Sequence, residues 1–255
     1  MPTAAKESQA DRPKRRVGRP RAAQGPDGGA APAAEPRDQI LAAASELFTV
    51  QGYTATSTRA IAARAGMRQA SMYYHFPSKE ALLSSLLETT VAPSLEFAEW
   101  ALAERDASAE ARLWALARID AAQLAGAEHN LGALYLLPEV QQEAFAPFRQ
   151  MRGRLRDSYR ELLGRTDPAR DYPPGGLAER AHLVFGLVEG VILARLEHAP
   201  VADPATYSAG VADGVLRLAG SRDLPFARRQ GLRLCADWIG RSEHLPSSTT
   251  PKDRA

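Results

Sequence analysis

Between Thr56 and Lys79 the chain places hydrogen-bonding side chains where a packed helix would carry apolar ones. Met72 and Phe76, four apart, give the stretch one inner face, which leaves Arg68, Gln69, Ala70, Ser71, Tyr73 and Tyr74 pointing outward. Such a helix suits the major groove of DNA, where a glutamine can bond an adenine edge twice and an arginine a guanine edge. Each such pair is worth about 1–3 kcal/mol of base discrimination. Lys79 points to related chemistry. A cation in the first turn of a helix opposes the macrodipole, and this is the only lysine between Lys14 and Lys252. A point charge and a helix N-terminus aimed together at a phosphate would account for it; a solvated surface lysine is the alternative.

The elements that must hold these residues are legible on either side. Ile40, Leu41, Ala44, Leu47 and Phe48 predict a first helix from residue 37 or 38 to residue 50, ended by Gly52, with Tyr53 packing back on the bundle. Ser57 or Thr58 caps a second helix whose apolar face is Ile61, Ala62 and Ala65. Gly66 supplies a turn that calls for positive φ. A third helix runs from Gln69 to His75 and stops at Pro77, and a fourth begins at Ser78 with Glu80 near its positive end.

The stretch ILAAASELFTVQGYTATSTRAIAARAGMRQASMYYHFPSKEALL resembles the DNA-binding domain of TetR-family transcriptional regulators along nearly its whole length. The marks are Leu47-Phe48 to Gly52-Tyr53, Thr56 with Arg59-Ala60-Ile61-Ala62, Ala65-Gly66-Met67, and Met72-Tyr73-Tyr74-His75-Phe76 followed by Ser78-Lys79-Glu80. The resemblance covers residues 37–90 and implies a role for each matched position. Thr58 and Arg59 would touch DNA at the start of the second helix. Gln69, Ala70 and Ser71 would face base edges, with Arg68 just before them. Tyr73, His75 and Lys79 would bind phosphates, and Tyr74 would reach base or sugar. For His75 a packed, hydrogen-bonded ring is the competing reading. Many members carry a small polar residue, a lysine and a glycine where this chain has Arg68, Gln69 and Ala70. The operator sequence therefore cannot be borrowed from relatives.

The net charge of +2 over 255 residues hides an uneven distribution. Residues 1–21 hold seven Lys/Arg against Glu7 and Asp11, which favours a polyanionic partner at that end. Within them KRRVGRPR resembles an AT-hook, whose narrow Arg-Pro backbone fits an A·T-rich minor groove with Arg19 deepest; a solubilising basic tail is the alternative. Residues 22–36 are rich in Ala, Pro and Gly without apolar period, and are expected to be a disordered tether, as is the tail 242–255. The domains expected are thus the arm and linker 1–36, the DNA-binding domain 37–90, a helical domain 91–241 and the tail. With 45% hydrophobic residues and a 3.6-residue period almost throughout, the folded part is expected to be all-α.

Cys235 is the only cysteine, which excludes an intramolecular disulfide, and its spacing from Leu232, Trp238 and Ile239 predicts a buried thiol. No secretory h-region and no apolar run of membrane-spanning length occur, so a bacterial cytoplasmic, nucleoid-associated protein is expected, without a membrane partner. The five histidines show no metal-ligand spacing, and no nucleophile elbow, P-loop or dinucleotide fingerprint is present. No enzyme, cofactor or metal is expected.

Beyond residue 91 apolar-periodic segments near 94–105, 108–127, 131–137, 139–164, 177–198, 204–219 and 225–240 are separated at Pro93, Pro138, residues 171–176, residues 200–204 and Pro225. The resemblance implies that this part binds a small molecule and dimerises. Trp100, Trp114, Tyr135, Phe145, Phe148, Met151 and Phe185 are candidate cavity residues, with His129 and Asn130 as polar anchors; plain core is the competing reading for each aromatic. Glu189, in an apolar run, is open to three readings: a ligand contact, an ion pair with Arg195 or another arginine, or solvent exposure. Gly186 and Gly190, each costing roughly 1 kcal/mol of helix stability, and the small residues around Ala209 and Asp213 suggest two close-packed helices in a four-helix dimer seam, or close packing within one subunit. The whole reads as a ligand-responsive repressor acting as a homodimer on a palindromic site, with an activator of the same fold or an architectural DNA-binding protein as alternatives.

Overall fold

Ile40, Ala44, Leu47 and Phe48 recur at helical spacing, and all four are buried on one face of α1 (Pro36–Val50). The structure, a computed structural model, describes residues 35–197 and 201–244; the basic arm with Arg19 and the stretch after His244 lie outside the described residues. Gly52, at φ 89°, turns the chain out of α1. Thr56 Oγ1 fastens that turn by donating to the carbonyls of Gly52 (2.8 Å) and Leu47 (3.2 Å). Ser57 accepts from the Ala60 amide at 3.1 Å and so caps α2 (Thr58–Arg64). Gly66, at φ 69°, leads into α3 (Gln69–His75), whose Met72 and the following Phe76 are buried as expected. Ser78 accepts from the Ala81 amide at 3.1 Å and opens α4 (Lys79–Ala103).

The boundary expected at 90/91 falls within α4, and Pro93 sits inside that helix instead of separating two. A helical proline has no N–H and leaves the carbonyl four residues earlier without its partner. Here that carbonyl belongs to Thr89, and Gln123 Nε2 donates to it at 3.2 Å and to the Thr90 carbonyl at 3.0 Å. Pro93 is tolerated because a distant side chain replaces the lost donor.

The rest of the body surrounds α5 (Ala109–Gly126), which buries Ala111, Leu113, Trp114, Ala115, Leu116, Ala117 and Ala121 and packs against α4, α6, α7, α8 and α9. A helix this apolar on most sides must be central. The expected segment 139–164 divides: 3₁₀ turns at Leu131–Leu136, Pro138–Gln141 and Glu143–Phe145 precede α6 (Ala146–Gly164). Pro147 explains the break, since it fits the first turn of a helix but not an interior. Then follow α7 (Gly176–Glu197), α8 (Pro204–Leu218) and α9 (Leu224–His244). No strand occurs among the described residues. None of their helices is long and apolar enough to cross a membrane. Cys235 is buried on α9 against α5, and burial pushes its thiol pKa up.

Candidate nucleic-acid interface

The residues of α3 divide as their spacing requires. Met72 is fully buried, whereas Arg68, Ala70 and Ser71 are exposed, Tyr73 is 43% exposed and Tyr74 89%. Leaving a tyrosine ring almost wholly in water is costly for a fold that has no other use for it. His75 is half-buried, its ring edge-on to Tyr74 with centroids 5.4 Å apart. Arg59 is exposed on α2.

Two of these residues have partners that the sequence did not reveal. Gln69 is half-buried and donates Nε2 to Thr58 Oγ1 at 2.9 Å, and Thr58 Oγ1 shares a 3.1 Å hydrogen bond with the Tyr73 hydroxyl. The three side chains lock the start of α2 against α3 and place Gln69 before any base is met. Lys79 has its Nζ 4.2 Å from the Tyr53 ring centroid and 3.4 Å from the Thr54 carbonyl. Burial lowers its pKa, against the pull of Glu80 and Glu139. Lys79 is therefore not a simply solvated surface lysine: the Tyr53 ring face supplies a cation–π partner within the chain. Burial, with the same two carboxylates, pushes the Tyr53 phenol up to about 12.

In the body, a cavity of about 500 Å³ lies between α6, α7 and the 3₁₀ turns. Of the expected ligand residues, Tyr135, Phe148 and Glu189 line it, and Phe185 borders a void of about 10 Å³ behind it together with Tyr135 and Glu189. Glu189 is paired with Arg152, whose Nε donates to Oε1 at 2.6 Å and Nη2 to Oε2, while the guanidinium lies 5.2 Å from the Phe185 ring centroid. Burial works against the Arg152 charge, but its bonds to Glu189 and the carboxylate's charge outweigh it and raise the pKa. Arg195 is not the partner of Glu189; it donates to the carbonyls of Leu124 (2.5 Å) and Ala127 (2.6 Å) at the end of α5.

Other expected cavity residues are elsewhere. Trp114 is buried core, its Nε1 donating to Asp213 Oδ1 at 2.8 Å. Trp100 stacks with Phe97 and Trp238, centroids 5.4 and 5.5 Å away. Phe145 is buried and Met151 packs on the core. His129 and Asn130 line a separate cavity of about 130 Å³, where Asn130 Nδ2 donates to the Ile192 carbonyl at 3.0 Å. Sequence reasoning missed Arg149, Arg152 and Arg156, whose i, i+3, i+7 spacing on α6 was a readable signal. It also missed Asp120, a buried carboxylate that accepts from Ser94 Oγ and Tyr159 OH, both at 2.9 Å. Burial pushes Asp120 up to about 6, against those two hydrogen bonds.

The residues expected at a dimer seam also divide. A Cβ on Gly186 or Gly190 would meet nothing within 4 Å, so neither glycine serves a close helix approach within the chain; both border the cavity. Ala209 is buried, and Asp213 faces Trp114 and Arg228. These two are corrected to the inner side of α8, because the small residues there admit α5. The outward sides carry exposed Leu183 and Leu187 on α7 and Tyr207 on α8, whereas exposed Leu193 lines the cavity.

The family model described as "Bacterial regulatory proteins, tetR family" matches residues 40–86, from within α1 through α2 and α3 into the start of α4. The crystal structure of Mycobacterium smegmatis AmtR is 41% identical, with 82% of this chain and 97% of that one covered at a TM-score of 0.71. A TetR-family regulatory protein from Rhodococcus RHA1 is 25% identical over 75% of this chain and all of that one, with a TM-score of 0.63. Among curated proteins, the HTH-type transcriptional repressor KstR2 of Mycolicibacterium smegmatis is 36% identical over 75 residues, 29% of this chain. The match spans only 33% of that relative, and 21% of YerO from Bacillus subtilis. With 41% identity to AmtR over 82% of its length, the chain belongs to the TetR family of bacterial regulatory proteins.

Proposed function

We propose that the chain is a transcriptional repressor that binds a palindromic operator as a homodimer and releases it when a small molecule occupies the helical body. The observation that carries the DNA reading is α3, where exposed Arg68, Ser71 and Tyr74 surround a Gln69 already held in place by Thr58. Two copies would set their α3 helices in successive major grooves about 34–36 Å apart. Exposed Leu183 and Leu187 of α7 with Tyr207 of α8 are the surface on which the copies would meet. Such a regulator works in the cytoplasm on the nucleoid. Repression is preferred to activation because a relative matched over 75 residues is named a repressor. A genomic footprint of bound sites, with transcription measured in a deletion strain, decides: genes that fall when the protein is removed would favour an activator. Binding blind to sequence would favour an architectural protein.

Ligand response is supported by the turn Pro138–Gln141. Its Val140 and Gln141 line the cavity, while Glu139 accepts from Thr54 Oγ1 at 3.4 Å beside Lys79. One short segment therefore touches both the cavity and the DNA-binding head. Moving the protein from mostly bound to mostly free requires a ligand that distinguishes the two states by about 5 kcal/mol.

Two substitutions test the interface. Gln69→Ala is expected to lose about 1–3 kcal/mol of preference at one base position while random-sequence DNA is bound as before. A uniform loss on every sequence would show Gln69 to be only a brace for Thr58. Lys79→Ala is expected to weaken binding to all sequences and to lower the slope of log affinity against log salt by about one. An unchanged slope would confine Lys79 to its contact with Tyr53.

A further inference from the structure

Arg149, Arg152 and Arg156 face the 500 Å³ cavity from one side of α6, and Glu189 is the only acid in its lining. Arg149 is committed to the fold, donating to the carbonyls of Val140 (2.7 Å) and Gln142 (2.5 Å). Arg152 is occupied by Glu189. Arg156 forms no ion pair among the described residues and is exposed at the cavity edge. Among the described residues the lining thus carries a surplus of positive charge. The remaining wall is apolar and partly aromatic, with Tyr135 and Phe148 tilted together at 4.9 Å between centroids. Gly153, Gly186 and Gly190 leave its floor open, since a Cβ on any of them would meet nothing within 4 Å. A cavity of this size falls in the usual 300–1,000 Å³ range of ligand sites, roughly.

We propose that this cavity takes an organic anion with an apolar body, its charged head at Arg156 with Arg152 behind it and its body against Tyr135 and Phe148. The inference deepens, and rests on, the reading of a ligand-responsive regulator. A guanidinium suits the head because its fork binds a planar or tetrahedral oxyanion through two parallel donors, as Arg152 already binds the carboxylate of Glu189. A neutral or cationic molecule of the same shape would gain nothing from the Arg156 charge at the cavity edge.

Two dyes with one ring system separate charge from shape. The full chain is titrated with 8-anilino-1-naphthalenesulfonate and with uncharged N-phenyl-1-naphthylamine, and fluorescence gives both affinities. The sulfonate is expected to bind at least about tenfold more tightly, and Arg156→Gln to remove about tenfold of its affinity while leaving the neutral dye unchanged. Gly153→Leu, which fills the cavity from an uncrowded position, is expected to abolish both. Equal affinity of the two dyes, or sulfonate binding untouched by Arg156→Gln or by Gly153→Leu, overturns the proposal. If the dyes bind equally and Gly153→Leu removes both, the cavity takes apolar ligands without regard to charge, and the wider reading of ligand response survives. If neither dye binds the unaltered protein, the proposal falls as well. Far-ultraviolet circular dichroism on each variant keeps a folding defect from being read as lost binding.

Discussion

Gly231→Ala is expected to destabilise the protein by about 2 kcal/mol, although the same change at Gly153 should stabilise it. Both glycines lie inside helices, where alanine is favoured by roughly 1 kcal/mol if nothing else intervenes. A Cβ on Gly153 would meet nothing within 4 Å. A Cβ on Gly231 would lie 2.5 Å from Trp114 Cε3 and 3.0 Å from the Ala111 carbonyl oxygen. Neither obstacle can step aside. The carbonyl belongs to the backbone of the central α5, and the Trp114 ring is buried on all sides and held through Nε1 to Asp213. Relief must come from α9 backing off α5, which loosens the core around Leu234 and Cys235. Overpacking of this kind costs about 1–3 kcal/mol and sometimes more, and so outweighs the helix-propensity gain. Urea unfolding of both variants, compared at equal m-value, checks the pair; a midpoint for Gly231→Ala at or above the parent would contradict the α5–α9 contact.

The second large effect is one of pH. Asp120 is buried and its carboxyl is pushed up to about 6 from an ordinary 3.8, first by loss of hydration and only partly offset by Ser94 and Tyr159. A carboxyl with a raised folded pKa binds its proton more tightly in the folded state. Its contribution to stability is fully present below the unfolded value and is lost as pH rises through about 6. The loss is about 2 kcal/mol between pH 4 and pH 6, out of about 3 kcal/mol over the whole pH range, with little further change above that. Carboxylates with lowered values, such as Glu80 and Glu104, work in the opposite sense. The informative quantity is therefore the difference between the parent and Asp120→Asn across that range. The variant should gain on the parent as pH rises, since a neutral amide carries no buried charge and can accept from one of the two hydroxyls while its Nδ2 donates to the other. A difference that stays constant from pH 4 to 8 would mean that Asp120 does not titrate as its burial implies.

The DNA-binding head was legible in the sequence because its determinants are local. Helix spacing, the hydroxyl caps Ser57 and Ser78, and Gly66 at positive φ all act over a few residues, and α3 runs from Gln69 to His75 as read. What escaped depends on partners far apart in the chain. Pro93 looked like a break because nothing local shows that Gln123 will satisfy the Thr89 carbonyl. Gly186 and Gly190 drew a close-packing inference from their helix cost, but that cost is visible in one helix while the opposing surface is not. Among the crowded glycines are Gly231, against a tryptophan more than a hundred residues earlier, and Gly214 of α8, against Leu187 of α7. Trp114 and Asp213, assigned to a ligand site and a dimer seam, bond to each other instead. Of the candidate site, Tyr135, Phe148 and Glu189 were found by residue type, whereas the arginines that line it with them were not singled out.

The unbroken run of α4 has a mechanical consequence. Its 25 residues, at about 1.5 Å each, make a rod of roughly 37 Å. A tilt of about 5° at one end sweeps the other through about 3 Å, comparable to the rise of one base pair. Proline is where a rod of this kind would ordinarily flex, yet the amide of Gln123 splints that joint. The shaft is therefore stiff where it might have bent, and a displacement at the body end reaches Lys79 and the recognition helix as displacement, not as curvature.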